Sequence, residues 1–164
     1  RAMNRHYEAG EFVRFVERAA AAVADLCLGT DLLVGFPGET PEDHRRSCAI
    51  LETSPLAYAH VFTYSPRKGT VAETLGARPD PVTAARRSAE LRRISRVKRE
   101  AFLDRLVGRT LDVLFESRAD GRWHGYTGNY ARVGVCSDDD LENVIRPVLL
   151  EQNRGDSLEG RLAG

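Results

Sequence analysis

One stretch constrains this chain more than any other. LCLGTDLLV, from Leu26 to Val34, runs without interruption into Gly35-Phe36-Pro37-Gly38 and then into Glu39-Thr40-Pro41-Glu42-Asp43. The apolar run lacks strict alternation, which fits a parallel strand covered on both faces. Thr40 suits a helix cap and Pro41 the first helical position, and Glu42 and Asp43 place acids in the first turn. A buried strand turning at once into a helix is the building unit of a parallel sheet or barrel. Ligands of such sheets sit at the carboxyl ends of strands, where small residues permit close backbone approach. Gly35 and Gly38 therefore mark a place where a ligand can touch the backbone, with Asp31 and Glu39 available for hydroxyl or amine groups. The alternative is a tight turn whose glycines meet only a backbone requirement.

The flanking segments extend this pattern. Phe12, Phe15, Val16, Ala19 and Val23 recur at helical spacing and predict an amphipathic helix over 11–24. The helix that opens at Thr40-Pro41 is expected to run to about Glu52, and AYAHVFTY, 57–64, is the next strand. Residues 65–80 read as a loop. Asp80-Pro81 opens a long helix to about Leu106, with Val82, Ala85, Ala89, Ile94, Val97, Ala101 and Phe102 as its expected apolar stripe. From Val107 the chain changes to short strands: TLDVLFES, GRWHGYTG, NYARVGV, VIRPVLLEQ and SLEGRLA. Such spacing predicts a small antiparallel barrel, OB-like or SH3-like. Three parts follow: 1–80, a helix over 81–107, and a barrel over 108–164.

Charge is divided in the same way. The chain carries 24 basic and 24 acidic residues, yet 81–107 holds a net of +5 against −2 before it and −3 after it. Only the helix has the electrostatic footprint of a polyanion binder. Cys27, Cys48 and Cys136 are far apart and odd in number, so no disulfide framework is expected. His6, His44, His60 and His124 are scattered as well, and no metal site is expected. Neither a signal peptide nor a membrane span is evident, so a soluble cytoplasmic protein is expected.

Three motifs in order give the chain a family likeness. MNRHY supplies Met3, Arg5 and Tyr7. TDLLVGFPGET supplies Asp31, Val34, Gly35, Phe36, Pro37, Gly38, Glu39 and Thr40. YSPRKGT supplies Tyr64, Ser65, Arg67, Gly69 and Thr70. Together they resemble the MxRxY, DxIVGFPGET and YSxRxGT patterns that follow the fourth, fifth and sixth barrel strands of radical-SAM methylthiotransferases. LVGRTLDVLFES and GYTGNYARV resemble the TRAM domain that ends those enzymes, a β-barrel that binds RNA. Within the family, GYTGNYARV is most similar to the branch that modifies threonylcarbamoyladenosine beside the tRNA anticodon. The likeness covers about residues 1–163.

The resemblance implies an α/β fold, the second half of a partial (βα)6 radical-SAM barrel followed by a TRAM barrel. It implies a tRNA-modifying enzyme that cleaves S-adenosylmethionine at one [4Fe–4S] cluster and draws sulfur from a second. The cluster ligands of the family, a CxxxCxxC motif and three cysteines of a separate N-terminal domain, have no counterpart in this sequence. The chain alone is therefore expected to be inactive, with no catalytic residues of its own. Residue 1 is Arg and the text opens inside the MNRHY motif, which reads as a piece of a longer gene product. Arg5, Asp31, Gly35 and Glu39 are expected beside the S-adenosylmethionine pocket.

For tRNA, the candidates are Arg67 together with Trp123, Tyr126, Asn129, Tyr130 and Arg132, since aromatic rings stack on bases while arginines hold phosphates. The alternative puts Tyr126 and Tyr130 in the barrel core. Asp138-Asp139-Asp140 belongs in a loop facing away from phosphate, and the basic helix is the candidate supplier of further phosphate contacts. Half a barrel leaves a strand edge open, which predicts a homodimer, an exchange of elements, or packing of the long helix over the opening. Two other readings compete: a stand-alone RNA-binding protein without catalysis, and a vestigial paralogue that uses the TRAM fold for protein contacts.

Overall fold

The structure is a computed structural model and describes Met3 and residues 5–164; Asn4 of the MNRHY motif lies outside the described residues. The chain divides into two compact units, 1–98 and 99–164.

In the first unit, helix α1 (Ala9–Ala22) precedes strand β1 (Gly29–Val34), helix α2 (Pro41–Thr53) and strand β2 (Tyr58–Thr63). A short 3-10 helix, Val71–Thr74, lies in the following loop, and helix α3 (Pro81–Asp104) begins after it. β1 and β2 pair in parallel, with Gly29 opposite Tyr58 and Val34 opposite Thr63. Their start-to-end alignment puts the carboxyl ends of both strands, and the loops after them, on one side of the sheet. Val16, Val34, Leu51, Leu56, Ala59, Leu91 and Ile94 form the core, with Phe12, Leu28, Leu32 and Cys48 packed against it.

The α2 start forms as its residues dictate. The backbone N–H of Asp43 donates to Thr40 Oγ1 at 3.1 Å, and the backbone N–H of Thr40 donates back to Asp43 Oδ2 at 2.9 Å. This reciprocal box satisfies two otherwise orphaned helix-start donors. The Thr40 bonds also hold the Asp43 carboxyl below the usual aspartate value.

Two sequence expectations need correction here. β1 begins at Gly29, not Leu26, and is not covered on both faces: Asp31 and Leu33 are exposed while Val34 is buried. Leu32 and Val34 face the core, while Asp31 and Leu33 lie on the exposed face of what is, among the described residues, a two-stranded sheet. The stripe expected on α3 is also out of phase. Of the expected stripe, Ile94 and Phe102 are buried, but Val82 is 78% exposed and Ala85, Ala89, Val97 and Ala101 are exposed too, whereas Ala84, Arg87, Ser88, Leu91 and Ser95 are buried.

The buried hydroxyls explain that phase. Ser95 Oγ accepts from the backbone N–H of Ala59 at 2.8 Å and donates to the Ala59 carbonyl at 2.9 Å. Arg92 Nη2 donates to the Val61 carbonyl at 3.1 Å, and Ser88 Oγ lies 3.0 Å from Thr63 Oγ1. α3 thus meets the backbone groups of β2 with side chains, as a neighbouring strand would. A helix lying along a sheet edge needs polar groups facing inward, because a buried backbone donor or acceptor without a partner is costly. Apolar spacing alone therefore misplaces the inward face.

The second unit takes the end of α3, 99–104, and closes a five-stranded barrel from β3 (Thr110–Ala119), β4 (Arg122–Thr127), β5 (Arg132–Val135), β6 (Ile145–Asn153) and β7 (Leu158–Leu162). The order around the barrel is β3-β4-β5-β7-β6, and β6 pairs back to β3. Every pair is antiparallel except β5 with β7, which is parallel. The expected barrel is present, with this one parallel closure in place of an all-antiparallel one. Closure removes the exposed edges that an open sheet leaves. Val113, Phe115, Val133, Val135, Val148, Leu150 and Leu158 fill the interior. Gly125 of β4 is required by packing, since a Cβ there would collide with the Leu114 carbonyl.

Ser95→Ala strips the Ala59 N–H and C=O of their partner. It should lower stability by about 1–3 kcal/mol, the penalty for unsatisfied buried backbone groups, read as a lower urea midpoint. Val97→Ala, on the exposed face of the same helix, should stay within about 0.5 kcal/mol of the parent.

Candidate functional site

The turn after β1 is held by a single carboxylate. Glu39 Oε2 accepts from the backbone N–H of Gly35 across the turn, while Oε1 pairs with Arg87 Nη1 of α3 at 3.0 Å. The same guanidinium nitrogen lies 3.3 Å from the Glu39 carbonyl. Both side chains are nearly out of solvent, at 6% exposure for Arg87 and 12% for Glu39. Gly35 has φ +80°, and a Cβ there would press on Ala84 of α3 at 3.3 Å. Gly38, at φ +83°, has open space where a Cβ would stand, and its N–H donates to the Ala77 carbonyl at 2.9 Å. The two glycines therefore differ: Gly35 lets a helix approach, and Gly38 leaves room.

That room belongs to a cavity of about 670 Å³ at the carboxyl end of β1. Arg5, Asp31 and Glu39 all line it, as do Met3, Tyr7, Phe36 and Gly38. The fold thus gathers Met3, Arg5 and Tyr7 with Phe36, Pro37, Gly38 and Glu39 around one space, where Arg5 supplies a cation and Asp31, Glu39 and Asp43 supply carboxylates among apolar side chains. Gly35 itself sits behind the lining, with its N–H committed to Glu39. Because both Glu39 oxygens have internal partners, Asp31 is the carboxylate better placed to meet a ligand. The YSPRKGT loop contributes Tyr64, whose ring meets Phe36 edge-on at 5.4 Å between centroids. Arg67 is exposed in that loop, with its carbonyl accepting from the Thr70 hydroxyl at 2.8 Å.

In the second unit, the β4–β5 turn presents the remaining candidates. Thr127 is buried and organises the turn. Its backbone N–H donates to the Ala131 carbonyl at 3.0 Å, and its hydroxyl accepts from the Ala131 N–H at 2.9 Å and lies 2.6 Å from Asn129 Oδ1. Tyr130 is held at φ +60°, a region disfavoured for a bulky side chain, with its ring 76% exposed. Strained conformations of this kind persist where surrounding structure enforces them, and they cluster at functional positions. Tyr126, 39% exposed, has its ring 6.2 Å from that of Tyr130, and Arg132 stands opposite Tyr126 in the β4–β5 ladder. The two tyrosines are therefore on the surface and not in the barrel core.

Trp123 differs from its expected companions. It is 6% exposed, and its indole N–H donates to the Asp139 carbonyl at 2.9 Å, so its ring belongs to the packed barrel and not to the aromatic surface. Two residues that the sequence reading passed over join that surface instead. Leu114 is opposite Tyr126 and Ile145 is opposite Leu114, and both are exposed. Arg132, Tyr126, Leu114 and Ile145 thus form one row across four neighbouring strands. Strict alternation in TLDVLFES, with Val113 and Phe115 inward, is the signal that places Leu114 outward. Asp138-Asp139-Asp140 lies in the loop after β5, as expected. The cysteines sit in separate elements: Cys27 before β1, Cys48 on α2 and Cys136 after β5.

An α/β unit with a cavity at its strand ends, joined to a closed OB-like barrel that exposes Tyr126 and Tyr130 beside Leu114 and Ile145, is the class that fold and site define. Comparison with known proteins makes it particular. No family model matches the chain. It is 35% identical over 164 residues to the tRNA-2-methylthio-N(6)-dimethylallyladenosine synthase of Jannaschia sp. (strain CCS1), covering 99% of this chain and 36% of that protein. Proteins of the same description from Maricaulis maris (strain MCS10) and Nitratidesulfovibrio vulgaris (strain Hildenborough) are 32% and 35% identical, over 100% and 99% of this chain and 36% and 38% of their own lengths. Nearly the whole of this chain is similar to these proteins, and it spans a little over a third of their length.

Arg87→Met should cost roughly 3–5 kcal/mol, because it leaves the Glu39 carboxylate buried and unpaired. The Glu39→Gln Arg87→Met double variant should recover a large part of that loss, since it removes both charges together. Chemical denaturation of the two single variants and the double variant reads the coupling directly.

Proposed function

We propose that this chain is the C-terminal part of a radical-SAM tRNA methylthiotransferase, with the second half of the catalytic barrel in its first unit and a TRAM-type tRNA-binding barrel in its second. The observation that carries this reading is the similarity of 99–100% of the chain to proteins described as tRNA-2-methylthio-N(6)-dimethylallyladenosine synthases. The gathering of Arg5, Asp31 and the GFPGE turn around one cavity supports it from geometry.

The cavity suits S-adenosylmethionine in donor chemistry. Arg5 would meet its carboxylate, Asp31 its ammonium or ribose hydroxyls, and the open backbone at Gly38 the bulk of the nucleoside. When bound in the complete enzyme, that cofactor supplies the radical which activates the adenine ring. This chain's own part is to seat the cofactor and keep its strand-end turn rigid. The cysteines here do not fit a cluster set, since Cys27, Cys48 and Cys136 come from three separate elements. No step is assigned to them, and the chain by itself is taken to be without activity.

The substrate is taken to be a hypermodified N6-adenosine of tRNA in the cytoplasm. The relatives' descriptions favour dimethylallyladenosine, whereas GYTGNYARV alone speaks for the threonylcarbamoyl base. We take the dimethylallyl reading as the better supported. On the tRNA side, Tyr126, Tyr130 and Arg132 form the contact, with Asn129 shaping the turn. Arg67 and the exposed Arg86, Arg93 and Arg96 of α3 are further phosphate contacts. Trp123 serves the barrel. A stand-alone RNA-binding role rests on the aromatic row without the cavity. It predicts tRNA binding with no S-adenosylmethionine affinity.

Two measurements separate these readings. Nucleoside mass spectrometry of tRNA from a strain lacking the full-length gene should show loss of the 2-methylthio group from dimethylallyladenosine, restored by the gene. Loss from threonylcarbamoyladenosine instead would move the substrate assignment, and no change in either would remove the enzyme reading. Calorimetric titration of the chain with S-adenosylmethionine should show binding that Asp31→Asn weakens by about tenfold, the loss of one charge-assisted contact. For the second unit, the Tyr130→Ala Arg132→Ala double variant should weaken tRNA binding at fixed salt by tenfold or more, since stacking contributes about 1–3 kcal/mol per base. Unchanged affinity would remove this face as the contact.

A further inference from the structure

His44, Cys48 and Glu90 make a cluster that neither the motifs nor the proposed function uses. His44 and Cys48 are one helical turn apart on α2, a spacing that puts both side chains on the same face. Glu90 reaches them from α3. His44 Nε2 lies 2.8 Å from Glu90 Oε2 and 3.5 Å from Cys48 Sγ, and one ligand atom from each residue falls within 4.8 Å of the others. His44 is buried, Cys48 half-buried and Glu90 exposed. A depression of about 450 Å³, lined by His44, Arg45, Arg86 and Glu90 among others, gives solvent a way in.

The convergence on one atom is the informative feature. A nucleophilic relay needs the thiol on one ring nitrogen and the carboxylate on the other. Here both approach Nε2, and buried Nδ1 has no hydrogen-bond partner among the described residues. A structural histidine bonded to a carboxylate accounts for Glu90, and packing against the core accounts for the burial of Cys48, but neither uses the approach of the thiol to Nε2, where one proton serves one acceptor. A single cation among the three atoms serves all of them.

We propose that His44, Cys48 and Glu90 bind a zinc ion, with its fourth position open to water or an outside ligand through the depression. Imidazole, thiolate and carboxylate together are a zinc set, whereas magnesium and calcium take oxygen ligands. Zinc bonds of about 2.0–2.3 Å in tetrahedral geometry separate ligand atoms by roughly 3.3–3.8 Å. The His44–Cys48 pair already has that separation, and the half-exposed Glu90 side chain reaches it by a small rotation. On binding, Cys48 releases its thiol proton to solvent, so one thiolate and one carboxylate balance the dication. Without an acceptor at Nδ1 to fix the ring, the ion exchanges more readily than in a closed four-ligand site.

Cobalt(II), then zinc, titrated into the metal-stripped 164-residue chain tests this. Cobalt should give a sulfur-to-metal charge-transfer band in the near ultraviolet that saturates at one equivalent and is displaced by zinc. Cys48→Ser should abolish the band, Glu90→Gln should weaken zinc binding by about tenfold or more, and Cys136→Ser should leave both unchanged. Absence of the band in the parent chain, or its survival in Cys48→Ser with loss in Cys136→Ser, overturns the proposal. Circular dichroism checks that Cys48→Ser folds. If it does not, Glu90→Gln decides, and undiminished zinc affinity there overturns the site. Methylthio-transfer and tRNA binding play no part in these readouts, so the zinc site stands or falls separately from the proposed function.

Discussion

The Glu39 carboxylate ties two pieces of the first unit together: the Gly35 backbone of its own turn, and Arg87 in the middle of α3, 48 residues further along the chain. One oxygen fixes the turn and the other fixes the helix. A buried ion pair of this kind contributes little net stability, because desolvation offsets most of the attraction. Its value lies in definition. A turn with two positive-φ glycines has many conformations open to it, and the shared carboxylate selects the one that leaves Gly38 facing open space. The cavity at the end of β1 exists because that selection is made. Both Glu39 oxygens are engaged inside the fold, so Asp31 is left as a cavity-lining carboxylate without that commitment.

The placement of α3 follows from a second polar constraint. A parallel pair of strands leaves backbone groups unpaired along its outer edge, and a strand, a helix or solvent must meet them. Ser95 serves both backbone groups of Ala59, and Arg92 serves the Val61 carbonyl. Leu91 and Ile94 then pack from the same face into the core. The inward surface of this helix is consequently a mixture of hydroxyl, guanidinium and apolar groups. Its basic character is in part structural: Arg87 and Arg92 are committed to the first unit, while Arg86, Arg93 and Arg96 remain exposed.

How much of this the sequence discloses depends on whether the deciding interaction is local. The α2 start was legible because its cap, proline and acids lie within four residues of each other. The barrel was legible because alternation and turn residues repeat along it. The inward phase of α3 was not, because Ser88 and Ser95 look like surface residues until their partners on β2 are known. The motifs place Asp31 and Arg5 at one pocket, and both line one cavity in the fold. Proximity in sequence groups Trp123 with Tyr126 and Tyr130, yet its odd position in the β4 alternation turns it inward beside Gly125 and Thr127. The His44–Cys48 spacing was visible, but its third member lies 42 residues beyond Cys48 on another helix.

The exposed row of the second unit bears on the proposed tRNA contact of a barrel whose net charge is −3. Phosphate attraction is not what the composition favours, and it weakens further as salt screens it. Stacking is different, since it acts through ring faces at contact distance and depends little on net charge. The unit invests in that term. It holds Tyr130 in a disfavoured backbone region with its ring in solvent, sets Tyr126 beside it, and extends the surface through Leu114 and Ile145. Arg132 is the cation of that row, directly opposite Tyr126 in the β4–β5 ladder. The acidic residues 138–140 fall in a separate loop, where the Asp139 carbonyl is tied to the inward-facing Trp123. Repulsion and stacking are thereby assigned to different parts of one small barrel, and the net charge of the unit is a poor guide to the surface that matters.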